Sequence, residues 1–256
     1  MDFILVSDLH IDVNDYDVNV FNVEDNQKRW LLVLGDTFTA LPNPARSLIK
    51  FLNKCSIYFK GVIFLLGNHD YYGDTIDGTK EKVNAELVKY GRPNIIFLDG
   101  NTEFIIPDTN IKVFGDTLWS KMPKESIEKN IEDYMQIRSS IGGTYLTFAE
   151  TNEINKITLE KINNFLNLDD GCVKFILTHF PPLIYEQGYR TTWLTSYFHN
   201  EHIRNWFDEE YMNGVCWAHG HTHTEYFEKV KNSYIITNAR GYSDKKYYIP
   251  HLITID

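Results

Sequence analysis

Cysteine is scarce in this chain: three residues, Cys55, Cys172 and Cys216, with no CxxC pair among them. That excludes a disulfide scaffold and a Cys-rich structural zinc domain. Two of the three sit in apolar runs, as buried free thiols do in a reducing compartment. Long apolar runs are missing as well. The longest are strand-sized, far short of the ~20 residues that cross a bilayer, so no membrane segment is expected. The opening MDFILVSD has no basic region and no cleavage site, which makes a cytoplasmic location the expectation. Basic tracts are absent and the net charge is −10. A broad grip on nucleic-acid backbone is therefore disfavoured, though a local cationic groove is compatible with this charge.

Hydrophobic residues make up 43% of the 256, enough for a real core. They fall in short runs: FILV before Asp8, WLLVL before Gly35, GVIFLL before Gly67, NIIFL before Asp99, IKVF before Gly115, VKFIL before Thr178, VCWA before His219 and YIIT before Asn238. Each reads as a strand buried on both faces. Amphipathic spacing predicts helices over Pro44–Lys54, Thr79–Tyr90, Ile154–Leu168 and His199–Tyr211. The alternation indicates an α/β fold. With no repeat, linker or low-complexity tract, residues 1–256 read as a single domain. The least regular stretch, 117–151, is the expected place for an insertion or cap.

The polar residues are informative by position. Five runs end in SDLH, GD, GNHD, THF and HGHTH, and ligands of α/β sheets gather beyond the carboxyl ends of strands. Asp8 and His10 are two apart, as are His221 and His223, so on an extended chain each pair would leave one face. Imidazole, carboxylate and amide donors without sulfur select hard or borderline divalent ions such as Mn, Fe or Zn.

Taken in order, Asp8-x-His10, Gly35-Asp36, Gly67-Asn68-His69-Asp70, Thr178-His179 and Gly220-His221-Thr222-His223 resemble the calcineurin-like metallophosphoesterases. The resemblance implies a four-layer α/β/β/α sandwich of two mixed sheets flanked by helices, with two divalent metal ions at the strand ends. Asp8, His10, Asp36 and His223 would hold one ion, and Asp36, Asn68, His179 and His221 the other, with Asp36 bridging. His69 would be the catalytic acid and Asp70 the group that orients it. Many members carry a second Asp where this chain has Thr39, which is not expected to be a ligand. GNHDYYG, GDTLW and NARGY are similar to landmarks of a small bacterial and phage subgroup of unassigned substrate, from whose pattern Asp116 and Ala239 depart.

Such a site permits attack of a metal-activated hydroxide on a phosphate ester; Arg240, in a Gly-flanked loop after a strand, would either offset charge on the phosphoryl oxygens as a catalytic group or make an ordinary surface salt bridge. Mn is the expected ion in vitro. Because GNHD resembles phosphodiesterase and nuclease members more than protein phosphatases, a phosphodiesterase acting on small or nucleotide-type substrates is the leading expectation. The alternatives are a nuclease, disfavoured by the acidic chain, and a non-catalytic scaffold of the same fold, disfavoured by the intact ligand set. Tyr71, Tyr72, Trp119 and Tyr242 are candidates for stacking on a base or sugar, against ordinary packing. His219 reads as a supporting or core histidine, and His199, His202 and His251 as surface or helix residues. Nothing bears on oligomeric state.

Overall fold

Alternate residues of the first strand part company. Ile4 and Val6 turn toward one hydrophobic layer, Phe3 and Leu5 toward another, and this period-two division repeats in the strands beside it. The structure, a computed structural model, describes residues 1–38, 43–122, 125–184, 195–242 and 248–255; Thr39 lies outside them. Strands β1 (Asp2–Val6), β2 (Trp30–Leu34), β3 (Gly61–Leu65) and β4 (Ile95–Phe97) run parallel, with β11 (His251–Thr254) antiparallel on the free side of β1. In the second sheet β6 (Ile111–Asp116), β7 (Val173–Thr178), β8 (Cys216–His219) and β10 (Ser233–Asn238) are parallel. Its edges are the antiparallel β5 (Glu103–Ile105) and β9 (Glu225–Val230).

The layers follow from the cores. Phe3, Leu5, Leu32, Leu34 and Ile63 of the first sheet meet Val113, Phe175, Leu177, Ala218 and Ile236 of the second. On the outer face of the first sheet, Val33, Val62 and Phe64 pack against Leu48, Ile49 and Leu52 of α1 (Pro44–Cys55) and Val83 of α2 (Ile76–Tyr90). Outside the second, Phe114, Ile176 and Trp217 pack against Leu159, Ile162 and Phe165 of α4 (Phe148–Asn167). This is the expected α/β/β/α sandwich of two mixed sheets. No helix among the described residues is long and apolar enough to cross a membrane.

Some boundaries differ from the periodicity. Helix α4 starts at Phe148 rather than Ile154, because Thr147 and Glu150 form a capping box that satisfies the first amides. The stretch expected as a helix over His199–Tyr211 is instead a chain of tighter 3₁₀ turns, Glu201–Asp208 and Glu210–Met212. Within 117–151 lie a 3₁₀ segment, Glu125–Asn130, and a single helical turn, α3 (Asp133–Gln136).

Candidate metal centre

The carboxyl ends of β1, β2, β3, β7, β8 and β10 open on one edge, and the loops there are bonded to one another. Asp8 and His10 donate their backbone amides to the carbonyls of Gly35 (3.1 Å) and Asp36 (3.0 Å). Gly241 donates to Asp8 O and Gly220 to His179 O, each at 3.0 Å. The chain is not extended at these places. Asp8, His10, Asp36, His221 and His223 have φ of 52, 41, 52, 69 and 53°. The expectation that each i, i+2 pair leaves one face of an extended strand is therefore wrong. The pairs converge because both members occupy the left-handed region, a conformation that costs ~1–3 kcal/mol at a non-glycine residue and is held by the surrounding loop bonds. Two glycines make the approach close enough. A Cβ on Gly35 (φ +88°) would lie 2.4 Å from the Gly67 nitrogen, and one on Gly67 would lie 2.1 Å from Asp36 Oδ1.

Three donor clusters result among the described residues. Asp8, His10 and His223 form one, Asp36, His179 and His221 a second, and His10, Asp36 and His69 a third that overlaps both, the ligand atoms of each within 4.8 Å of one another. His223 Nε2 is 3.3 Å from Asp8 Oδ1 and 3.3 Å from His10 Nε2. In the second cluster His179 Nε2 is 3.4 Å from Asp36 Oδ2, and Asn68 Oδ1 sits 3.0 Å from His179 Nε2 and 3.2 Å from His221 Nδ1. Asp36 joins them, since its Oδ2 is also 3.9 Å from His10 Nε2. The structure thus brings together all seven residues assigned as ligands.

Their electrostatics fit cations. Asp8 and Asp36 are both buried, and burial alone would raise their carboxyls. The hydrogen bond to His223 and the charge of His179 hold Asp8 below the usual range. His179, His69 and His10 do the same for Asp36. Burial lowers the His179 imidazole, but Asp36 more than reverses this and lifts it to about 10. The carboxylates thus draw positive charge to the spot where a second-cluster cation would sit. Burial and the neighbouring His179 keep His221 well below its ordinary value, neutral and able to ligate. His179 Nδ1 lies 2.8 Å from Leu34 O and donates to it, which points Nε2 into the site, where a bound cation would take the place of the Nε2 proton.

The three residues assigned to catalysis separate. The His69 ring lies over the clusters, its Nε2 4.0 Å from Asp36 Oδ2 and 3.0 Å from the Tyr242 hydroxyl, with Tyr72 stacked against it at 4.5 Å. Asp70 does not orient His69. One carboxylate oxygen accepts from Asp36 N and Gly67 N, both at 2.8 Å, and the other from Thr37 N and Phe38 N at 3.3 Å. It clamps the Gly35-Asp36 and Gly67-Asn68 turns together, and burial with repulsion from Asp36 pushes its carboxyl up to about 7.

Arg240 does not face the clusters either. It is buried, and its guanidinium donates to Leu9 O (2.9 Å), Asn14 O (2.8 Å) and Asp15 O (2.9 Å). A planar fork can satisfy the carbonyls of a bent loop, so Arg240 shapes the loop that carries Asp8 and His10. Arg240→Lys keeps the charge but not the fork. It is expected to destabilise the fold by about 2–4 kcal/mol, measured by urea denaturation.

Among the aromatic candidates, Tyr71 and Trp119 are core residues and Tyr72 supports His69; Tyr242 is the exposed one, 4.3 Å from the His10 ring. His219 is buried, and burial takes it down to about 3. His199 is buried too, contrary to expectation, while His251 lies on edge strand β11 beside Glu225. One residue of the site had no signal in the sequence. Asp133, in α3, accepts from Asn68 Nδ2 and the Tyr72 hydroxyl, both at 2.8 Å.

Residues 1–225 match the family model described as calcineurin-like phosphoesterase. An uncharacterized protein of Acanthamoeba polyphaga mimivirus is 31% identical over 268 residues, covering 94% of this chain and 91% of that one. Among solved structures, the phosphopantetheinyl hydrolase of Mycobacterium tuberculosis superposes with a TM-score of 0.75 at 14% identity, over 99% of this chain and 96% of that one. A candidate 5'-nucleotidase of Staphylococcus aureus does so with a TM-score of 0.55 at 16% identity, over 99% of this chain but 52% of that one. At such identities these two likenesses concern the fold alone.

Proposed function

The chain belongs to the calcineurin-like phosphoesterase family, and we propose that it is a phosphodiesterase of small or nucleotide-type substrates that works with two divalent cations, Mn in vitro. A metal-dependent phosphoesterase is what the family and the fold support directly. The finer reading is supported by one observation: the Asp8–His10–His223 and Asp36–His179–His221 clusters are adjacent, with Asp36 Oδ2 3.4 Å from His179 Nε2 and 3.9 Å from His10 Nε2.

Bound there, a pair of cations would supply a clamp for phosphoryl oxygens and acidify water at neutral pH. The chain's own groups do the rest. Asp36 balances charge between the two positions. His179 is held by Leu34 O with Nε2 inward, and Asn68 presents its carbonyl oxygen beside it. His69 Nε2, whose partner is the exposed Tyr242 hydroxyl, is placed to give a proton to a leaving oxygen that displaces that hydroxyl. The exposed ring of Tyr242 suits the organic part of a small ester.

The test is a hydrolysis panel with Mn²⁺ comparing bis-p-nitrophenyl phosphate, p-nitrophenyl phosphate, cyclic nucleotides and single-stranded DNA. Turnover is expected to be best on small diesters, with shallow salt dependence. Efficient, steeply salt-sensitive cleavage of long DNA would favour a nuclease instead, since each phosphate neutralised by the protein adds to the slope.

A further inference from the structure

The irregular stretch after β6 reaches the metal centre at one point. Asp133 is buried, at 3% exposure, and its Oδ1 accepts two hydrogen bonds from the GNHDYY segment: from Asn68 Nδ2 and from the Tyr72 hydroxyl, each 2.8 Å. An acceptor at that place can be met only by the amide nitrogen of Asn68. The carbonyl oxygen must then face the other way, and there it lies 3.0 Å from His179 Nε2 and 3.2 Å from His221 Nδ1. Without such an acceptor, an asparagine amide can rotate by half a turn and present a nitrogen, which carries no lone pair for a cation.

Backbone bonds keep the two segments in register. Gly73 donates to Gln136 O and Arg138 donates to Asp74 O, both at 2.8 Å, which brackets Asp133 from the far side of its helical turn. We infer that Asp133 is a positioning residue for the metal centre: it fixes the rotamer of Asn68 so that the amide oxygen, not the nitrogen, meets the cation of the Asp36–His179–His221 cluster. The other cluster, Asp8, His10 and His223, shares none of the Asn68 and Tyr72 bonds to Asp133 and is expected to be indifferent to it.

The inference rests on the two-cation reading, and titration of metal-free protein with Mn²⁺ separates their fates. The two-cation reading fails in the wild type, if it binds fewer than two ions; the positioning role fails only in the difference between wild type and variant. Asp133→Ala is expected to weaken one of the two Mn²⁺ equivalents by ~10–100-fold, as loss of an orienting partner does, and to leave the other nearly unchanged. Tyr72→Phe removes the second donor to Asp133 but not the Asn68 bond, and should leave both equivalents intact. Equal weakening of both ions by Asp133→Ala, or of neither, overturns the inference. If Asp133→Ala does not fold, an exchange decides. Asn68→Asp alone places two carboxylates in contact and should bind the second ion poorly. Adding Asp133→Asn returns a donor to face the new carboxylate and should restore at least ~10-fold in affinity. No gain in the double variant overturns the inference as firmly.

Discussion

Asp36→Asn should strip both cations from the protein and take hydrolysis with them. The side chain sits at the junction of the two clusters, with Oδ2 3.4 Å from His179 Nε2 and 3.9 Å from His10 Nε2, while Oδ1 is occupied by the His69 amide at 2.9 Å. A neutral amide cannot balance two dications, and its nitrogen would repel whichever ion it faced. Metal-ion catalysis is worth several kcal/mol, so the loss in kcat should be roughly 10³-fold or more. The fold should survive, because Asp70 still clamps the turn through backbone amides rather than through the Asp36 side chain. Elemental analysis of purified protein checks this. Unchanged occupancy at both positions would remove Asp36 from the bridge, and loss of one ion only would make it a ligand of a single site.

His69→Ala should separate chemistry from binding. Its backbone amide, not its ring, is what anchors Asp36, and the ring lies between Tyr72 and the Tyr242 hydroxyl. Truncation is therefore expected to leave metal content nearly intact while lowering kcat by ~10²–10⁴-fold on an alkyl ester, whose leaving oxygen needs a proton. The loss should shrink with p-nitrophenol, which departs as a stable anion. His69 also falls within ligand distance of His10 and Asp36, so the experiment has a sharp alternative. If metal occupancy collapses in the variant, His69 is a ligand and not the acid.

Much of this was readable from strand ends. WLLVL-Gly35-Asp36 and GVIFLL-Gly67-Asn68 announce buried parallel strands followed by polar turns, and the structure has them as β2 and β3, every residue buried. Three strands were not legible. β5, β9 and β11 are antiparallel edges with exposed faces, and Glu225–Val230 has the burial of a surface ribbon. Their pairing is set by the neighbouring strand rather than by their own hydrophobicity. The start of α4 was there to be found in Thr147-x-x-Glu150, whose reciprocal cap outweighs the later apolar spacing.

Within the site the motifs named the ligands, but not how the backbone presents them. Nothing in Asp8-Leu9-His10 distinguishes an extended pair from two left-handed residues; that depends on amides bonded across to Gly35 and Asp36. The role of Arg240 is hidden from the sequence for a related reason. An arginine in a loop after a strand can face a phosphate or its own fold, and only the carbonyls of Leu9, Asn14 and Asp15, far away in sequence, decide which. Asp133 belongs to no motif, and its role exists only through the packing of α3 against the GNHDYY segment.

The central claim is that one protein carboxylate joins two cation positions. Anomalous diffraction from crystals of the Mn²⁺-loaded protein tests it most directly. Two peaks are expected about 3.5–4 Å apart, with Asp36 between them, Asp8, His10 and His223 around one, and Asn68, His179 and His221 around the other. A single peak, or two peaks with Asp36 bound to only one of them, would contradict the account.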